Sequence, residues 1–182
     1  MTSEKSSPIK SQISRKALNG IRVIDLTRGP AGGLASMMLA DFGAEVLRVV
    51  QRSAPDPLEE LPAAPMWHRG KQRLELDLTS PEALGKLHRL CACADVFITT
   101  WREAALSQYE LTPTQLEQAH PHLVVCHING FGHKGPLANV PGYEHAVAAA
   151  AGRMQLFQGL TDRAGPVFSA VSYTHLTLPT KA

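Results

Sequence analysis

Residues 21–50 read IRVIDLTRGPAGGLASMMLADFGAEVLRVV, and no other stretch limits the choice of fold so strongly. IRVIDL (21–26) and EVLRVV (45–50) are short runs dense in branched apolar residues, as buried strands are. Between them GGLASMMLADFG (32–43) places its apolar residues at helical spacing. Strand, helix and strand joined by short links make a βαβ unit, whose strands run parallel because the helix carries the chain back. The pattern continues downstream. QRLELDL (72–78) alternates polar and apolar residues like a half-buried strand. Ser80, Pro81 and Glu82 then start a helix running to about Cys93: Ser80 is expected to cap the free amides, Pro81 fits the first turn, and Glu82 meets the dipole. DVFIT (95–99) is the next strand, Thr112-Pro113-Thr114-Gln115 has capping-box spacing at the head of another helix, and HLVVCHI (122–128) is a further strand. AVAAAAGRMQLF (146–157) is a strong helix former.

Strands alternating with helices imply an α/β fold, a Rossmann-like and mostly parallel sheet with helices on both faces. The proline-rich stretch 54–70 reads as a long surface excursion, and loops of that length usually serve a function. With 182 residues, 44% of them hydrophobic, the chain can bury a real core. Its formal charge of +2 comes from 18 basic and 16 acidic residues scattered along it, so there is no basic stripe for nucleic acid or anionic lipid. No apolar run reaches the roughly 18 residues of a membrane helix. The opening MTSEKSSPIKSQISRKA lacks the apolar core of a secretory signal, so residues 1–16 read as a flexible extension on a cytoplasmic protein. Cys91, Cys93 and Cys126 form no metal pattern and are expected as free buried thiols. His120, His122 and His127 have no HExxH or CxxC partner, so no metal is expected and they read as surface or structural residues.

Two glycine clusters compete as ligand-binding turns. Gly130, Gly132 and Gly135 in GFGHKG match GxGxxG letter for letter after a predicted strand. That motif works by opening a helix whose amino end faces a pyrophosphate, whereas here Pro136 and LANVPG break any helix. The GPAGG turn at 29–33 does lead into a helix. The strand after it ends in VVQR, where an NAD site normally has an acid for the ribose hydroxyls. Gln51 and Arg52 suit a ligand with a phosphate on or near the ribose, which includes NADP and coenzyme A. Glycines that only permit a tight turn and close helix packing remain an alternative.

LNGIRVIDLTRGPAGGLASMMLADFGAEVLRV, GKQRLELDL, ADVFITTWR and HLVVCHINGFGHKGPLANVPGYEHAVAAAAG, in that order and spacing, resemble the amino-terminal part of the family III CoA transferases. This group includes formyl-CoA transferase, carnitine CoA-transferase and alpha-methylacyl-CoA racemase. The resemblance covers residues 17–170 and implies an incomplete, amino-terminal α/β domain whose turn meets coenzyme A as an acyl-CoA. Positions matching the family's CoA contacts are Pro30 and Ala31, Gln51 and Arg52, Leu76 and Asp77 through Thr79, Thr100 and Trp101, and Gln108. Val50 stands where the family has a glutamate. Trp101 reads either as an aromatic face for the ligand or as a half-buried loop anchor.

Tyr143 and Glu144 match the Tyr-Glu pair of formyl-CoA transferase, where racemases of the group carry His-Asp. The resemblance therefore implies CoA transfer between carboxylic acids, with acyl-CoA and carboxylate substrates, a homodimer, and an aspartate nucleophile that forms an aspartyl-CoA thioester. Glu144 would be a supporting group, and the nucleophile falls near Tyr173, where the chain has no aspartate. An acyl-CoA racemase, an NAD(P)-dependent oxidoreductase and a CoA-binding module without turnover remain alternatives. VSYTHLTLPTKA (171–182) can be back-translated into a sequencing-adapter end and is expected to be a non-native tail, which would leave the fragment inactive.

Overall fold

The computed structural model describes residues 16–156 and Gly165. Five strands, β1 (Arg22–Leu26), β2 (Glu45–Gln51), β3 (Lys71–Leu76), β4 (Val96–Thr99) and β5 (Val124–His127), form one parallel sheet in the order β3-β2-β1-β4-β5. The central strand β1 pairs Ile24 with Leu47 on one side and with Phe97 on the other. The order reverses between β1 and β4, and in such sheets ligands bind at the carboxyl ends of the strands flanking that reversal.

Alternation along each strand sorts the side chains onto two faces. Ile24, Leu26, Val49, Leu76 and Phe97 form the larger core with Leu87 and Cys91 of α3 (Pro81–Cys91), Leu106 of α4 (Glu103–Leu106) and Leu116 of α5 (Pro113–Ala119). Burying each such leucine contributes about 1.5–3 kcal/mol. On the opposite face Val23, Val46 and Ile98 pack against Leu39 and Ala40 of α1 (Gly29–Asp41). Helices thus cover both faces, as the strand-helix alternation implies.

Several local expectations need correcting. Helix α1 starts at Gly29, three residues earlier than its apolar spacing indicates, because Pro30 fits a first turn. It ends where Gly43 takes a φ of 105°, a conformation that side-chain-bearing residues rarely adopt. Ser80 sits at the head of α3 in an extended conformation, but its side chain caps nothing: its own amide goes to the Asp77 carbonyl, and its carbonyl takes the Leu84 amide. At α5, by contrast, Thr112 and Gln115 make the reciprocal capping box.

The proline-rich stretch is not a surface excursion throughout. After a 3-10 turn (Pro57–Glu60) it forms α2 (Ala64–His68) and buries Asp56, Ala64 and Trp67. The helix expected over 146–157 starts at Glu144 and divides into α6 (Glu144–Ala150) and α7 (Arg153–Leu156). Gly152, with a φ of 73°, ends the first segment despite the alanines around it. As the proline content predicts, no helix opens at Gly135; residues 133–140 form bends and turns. Cys91 is buried, and burial pushes its thiol up to about 12, but Cys93 and Cys126 are exposed. Cys93 lies past the end of α3, and Cys126 lies on the edge strand β5. The segment 171–182 lies outside the described residues.

Gly32, in the first turn of α1, packs against the residue that follows β1, and a Cβ there would overlap the Thr27 side chain. Gly32→Ala gains about 1 kcal/mol in helix propensity. It meets an overpacking cost of about 1–3 kcal/mol, so a net loss of stability is expected in urea unfolding.

Candidate functional site

The carboxyl end of β1 leads into the turn at 27–31, beside the carboxyl end of β4. Asp25, wholly buried on the α1 face of β1, organises this corner. Its Oδ1 accepts the Thr27 amide at 3.1 Å and the Thr27 hydroxyl at 2.6 Å, while Oδ2 accepts the Ser36 hydroxyl of α1 at 2.6 Å. Lys71, the first residue of β3, reaches across β2 to place Nζ 3.0 Å from Asp25 Oδ2. The same ammonium donates to the Gly33 carbonyl at 2.9 Å and to Ser36 Oγ at 2.6 Å, so all three of its protons are used. The Lys71 side chain is 1% exposed, and burial pulls its ammonium below the usual lysine range against the attraction of Asp25.

Beside this pair, Arg48 of β2 is bonded to Glu59, which also lies close to Arg73. A cavity of about 150 Å³ opens here between Arg48, Glu59, His68, Lys71 and Arg73. Both ring nitrogens of His68 are buried without a hydrogen-bond partner. Burial, reinforced by the Arg48 and Lys71 charges, pushes its imidazole down to about 4.

The crevice itself is lined by residues that hold one another. The Arg28 amide donates to Thr100 Oγ1 at 2.7 Å, its guanidinium donates to the Ala54 carbonyl at 2.7 Å, and its Cζ lies 4.6 Å from the centre of the Trp101 ring. Gln51 is buried, taking the Leu78 amide on Oε1 at 2.8 Å and giving a proton to Ser53 Oγ at 2.8 Å. Asp77 Oδ1 accepts the Thr79 amide and hydroxyl and the Ser53 hydroxyl, and the Thr79 hydroxyl above all holds its carboxyl below the usual range. The Trp101 carbonyl accepts His127 Nε2 at 2.7 Å, and its indole stands edge-on to Tyr109.

The positions singled out in the sequence fall in three groups. Pro30 and Ala31, Gln51 and Arg52, Leu76 and Asp77, and Thr100 and Trp101 all lie at the carboxyl ends of β1 to β4. Leu76 is a core side chain there, Trp101 is 8% exposed, and Arg52 and Ala31 face solvent. Gln108 is exposed on the 3-10 turn Ser107–Tyr109, next to the Tyr109 ring that meets Trp101. Tyr143, 59% exposed and stacked on His145, precedes α6, and Glu144 opens that helix with a buried, unpartnered Oε2. Close approach of Gly142 to Gly130 ties this segment to the chain leaving β5.

Asp25, Ser36, Arg48, Asp56, Glu59, His68 and Lys71 escaped the sequence reading. Only the charges set inside the apolar runs IRVIDL and EVLRVV, at Asp25 and Arg48, signalled them. Among the described residues, no group of three His, Cys, Asp or Glu side chains is placed to hold a metal ion, and no helix is long and apolar enough to cross a membrane.

An all-parallel sheet with its crevice at the strand-order reversal defines an α/β protein of Rossmann-like build. A model of CoA-transferase family III matches residues 18–179. The chain belongs to that family. Succinate–glutarate CoA-transferase of Agrobacterium fabrum is 37% identical over 155 residues, 76% of this chain and 38% of its own length. Alpha-methylacyl-CoA racemase of Homo sapiens is 34% identical over 128 residues, 70% of this chain and 32% of its own length. The solved structure of the Mycobacterium tuberculosis hypothetical protein Rv3272 superposes with a TM-score of 0.77 at 31% identity, over 85% of this chain and 45% of its own. The chain spans less than half the length of these relatives.

Two outcomes follow from the buried charges. Lys71→Met leaves the Asp25 carboxylate uncompensated and should cost about 3–5 kcal/mol in urea unfolding. The double variant Asp25→Asn/Lys71→Met should recover part of that loss. For His68 the folded-state value of about 4 lies below the 6.5 of an unperturbed imidazole. In that window the unfolded chain binds a proton that the folded chain does not, so stability should fall as pH drops from about 6.5 to about 4 and level off below. Thermal midpoints across this range should show a shallower fall in His68→Gln.

Proposed function

We propose that this chain is the coenzyme A-binding amino-terminal part of a transferase that moves CoA between carboxylic acids. The Tyr143–Glu144 pair carries the choice, because it matches the transferase form of the motif rather than the His-Asp pair of the racemases. The identity to a succinate–glutarate CoA-transferase supports the same reaction class. In this reading Pro30, Ala31, Gln51, Arg52, Leu76, Asp77, Thr100, Trp101, Gln108 and Tyr143 contribute to the CoA site, with the exposed Arg52 offered to a phosphate.

An aspartate carboxylate attacks the acyl-CoA thioester carbonyl, giving a mixed anhydride and releasing CoA as thiolate. The thiolate attacks the aspartyl carbonyl of that anhydride, giving the aspartyl-CoA thioester and the first carboxylate product. The acceptor carboxylate then reverses the two steps. Splitting the exchange in this way avoids one difficult direct displacement. Glu144 supports the reaction, and the position near Tyr173 that the resemblance gives the nucleophile holds no aspartate in this chain. The full-length protein is a cytoplasmic homodimer that uses acyl-CoA and carboxylate substrates and binds neither nucleic acid nor membrane.

Calorimetry of the chain with CoA, NAD and NADP should rank CoA tightest; tighter binding of NAD reverses the assignment. In the full-length protein Glu144→Ala should reduce transfer at least tenfold, about 1.4 kcal/mol of transition-state stabilisation. The identity to the human racemase keeps a second reading in play. Deuterium exchange at the carbon beside the thioester, at a rate comparable with transfer, would select it.

A further inference from the structure

In Rossmann-like sheets the first βα turn holds a nucleotide by offering free backbone amides, reinforced by the helix dipole, to the pyrophosphate. Here the amides of the turn that enters α1 are already engaged. Thr27 gives its N–H to Asp25 Oδ1 at 3.1 Å, Arg28 to Thr100 Oγ1 at 2.7 Å and Gly29 to Asp56 Oδ2 at 2.6 Å. Pro30 has no N–H to give. Four successive residues therefore present no free amide, and the acceptors come from three separate parts of the chain.

Asp56 stands where the pyrophosphate would. It is 8% exposed, and its second oxygen accepts the Leu58 amide at 3.0 Å, so the carboxylate is gripped from two sides. Its charge suits the amino end of α1, a 13-residue helix with no acid of its own in the first turn. Leu58 Cδ1 lies 3.2 Å from where a Cβ on Gly29 would be, which packs the 3-10 turn directly onto this corner. The space left between Thr27, Arg28, Gln51, Asp56 and Trp101 is about 10 Å³, barely one water.

We propose that Asp56 is a specificity-determining residue, whose carboxylate takes the pyrophosphate's place at the amino end of α1 and so excludes dinucleotides from a fold that otherwise suits them. A dinucleotide would have to displace a bonded carboxylate and then lie against its charge. Coenzyme A also carries a pyrophosphate; if the CoA assignment above holds, that group lies away from the α1 terminus. The exclusion itself does not depend on that assignment.

The test is calorimetric titration of the full 182-residue chain, and of Asp56→Asn and Asp56→Ser, with inorganic pyrophosphate and with NAD. Asp56→Asn removes the charge and keeps one acceptor oxygen, enough for either the Gly29 or the Leu58 amide but not both, and Asp56→Ser also shortens the side chain. The wild type should show no pyrophosphate binding in the millimolar range, and at least one variant should bind it tenfold tighter or better. Pyrophosphate or NAD binding by the wild type as tight as by the variants overturns the proposal, as does no gain in two variants with native circular dichroism. If neither variant folds, the Gly29 amide resonance of ¹⁵N-labelled wild type decides. Pyrophosphate in the millimolar range should leave it in place, and a shift overturns the proposal. CoA titrated in parallel reports on the CoA assignment alone, so its failure is distinguishable from failure of the Asp56 proposal.

Discussion

The ion pair between Asp25 and Lys71 is the contact on which the rest of this corner depends. One carboxylate fixes the Thr27 turn through one oxygen, and α1 and the edge strand β3 through the other. Buried ion pairs are weak sources of net stability, since desolvation offsets most of the attraction. What this pair contributes is uniqueness of arrangement: if α1 slid along the sheet, it would strand a charge in the interior. The glycines follow from the same constraint, because Gly32 and Gly33 let α1 approach Thr27 and Trp67 closely enough for Ser36 to reach Asp25.

From this anchoring comes a crevice held mostly by its own side chains. Gln51, Asp77, Thr100 and Asp56 hydrogen-bond to the neighbouring loops. Outside it remain the Arg52 side chain, the Ala31 corner and the exposed Tyr143 ring. The relatives extend well beyond the part that this chain matches.

The sheet was legible in the sequence because branched residues cluster in IRVIDL, EVLRVV and DVFIT and because helices separate them. The capping box at Thr112 was legible because its two partners are three residues apart. At Ser80 the residue type suits a cap, but its side chain takes no amide of α3 and its own amide closes a local turn onto the Asp77 carbonyl. Trp67 lay in a stretch rich in proline, and only the notch at Gly33 explains its burial. The ion pair joins residues 46 apart. No local pattern encodes that contact, and the carboxylate at the α1 terminus escaped notice for the same reason.

The strand order also sets a timetable for synthesis. β1 meets β2 across a short helix, so the first half of the sheet can pair as it leaves the ribosome. Its other edge must wait for β4, whose Val96 pairs with Val23 and whose preceding Asp95 takes the Arg22 amide across 73 residues. At typical elongation rates that interval is on the order of 4–15 seconds. For its duration the middle strand of the finished sheet is an open edge rich in valine, isoleucine and leucine, the kind of surface that holdase chaperones shelter.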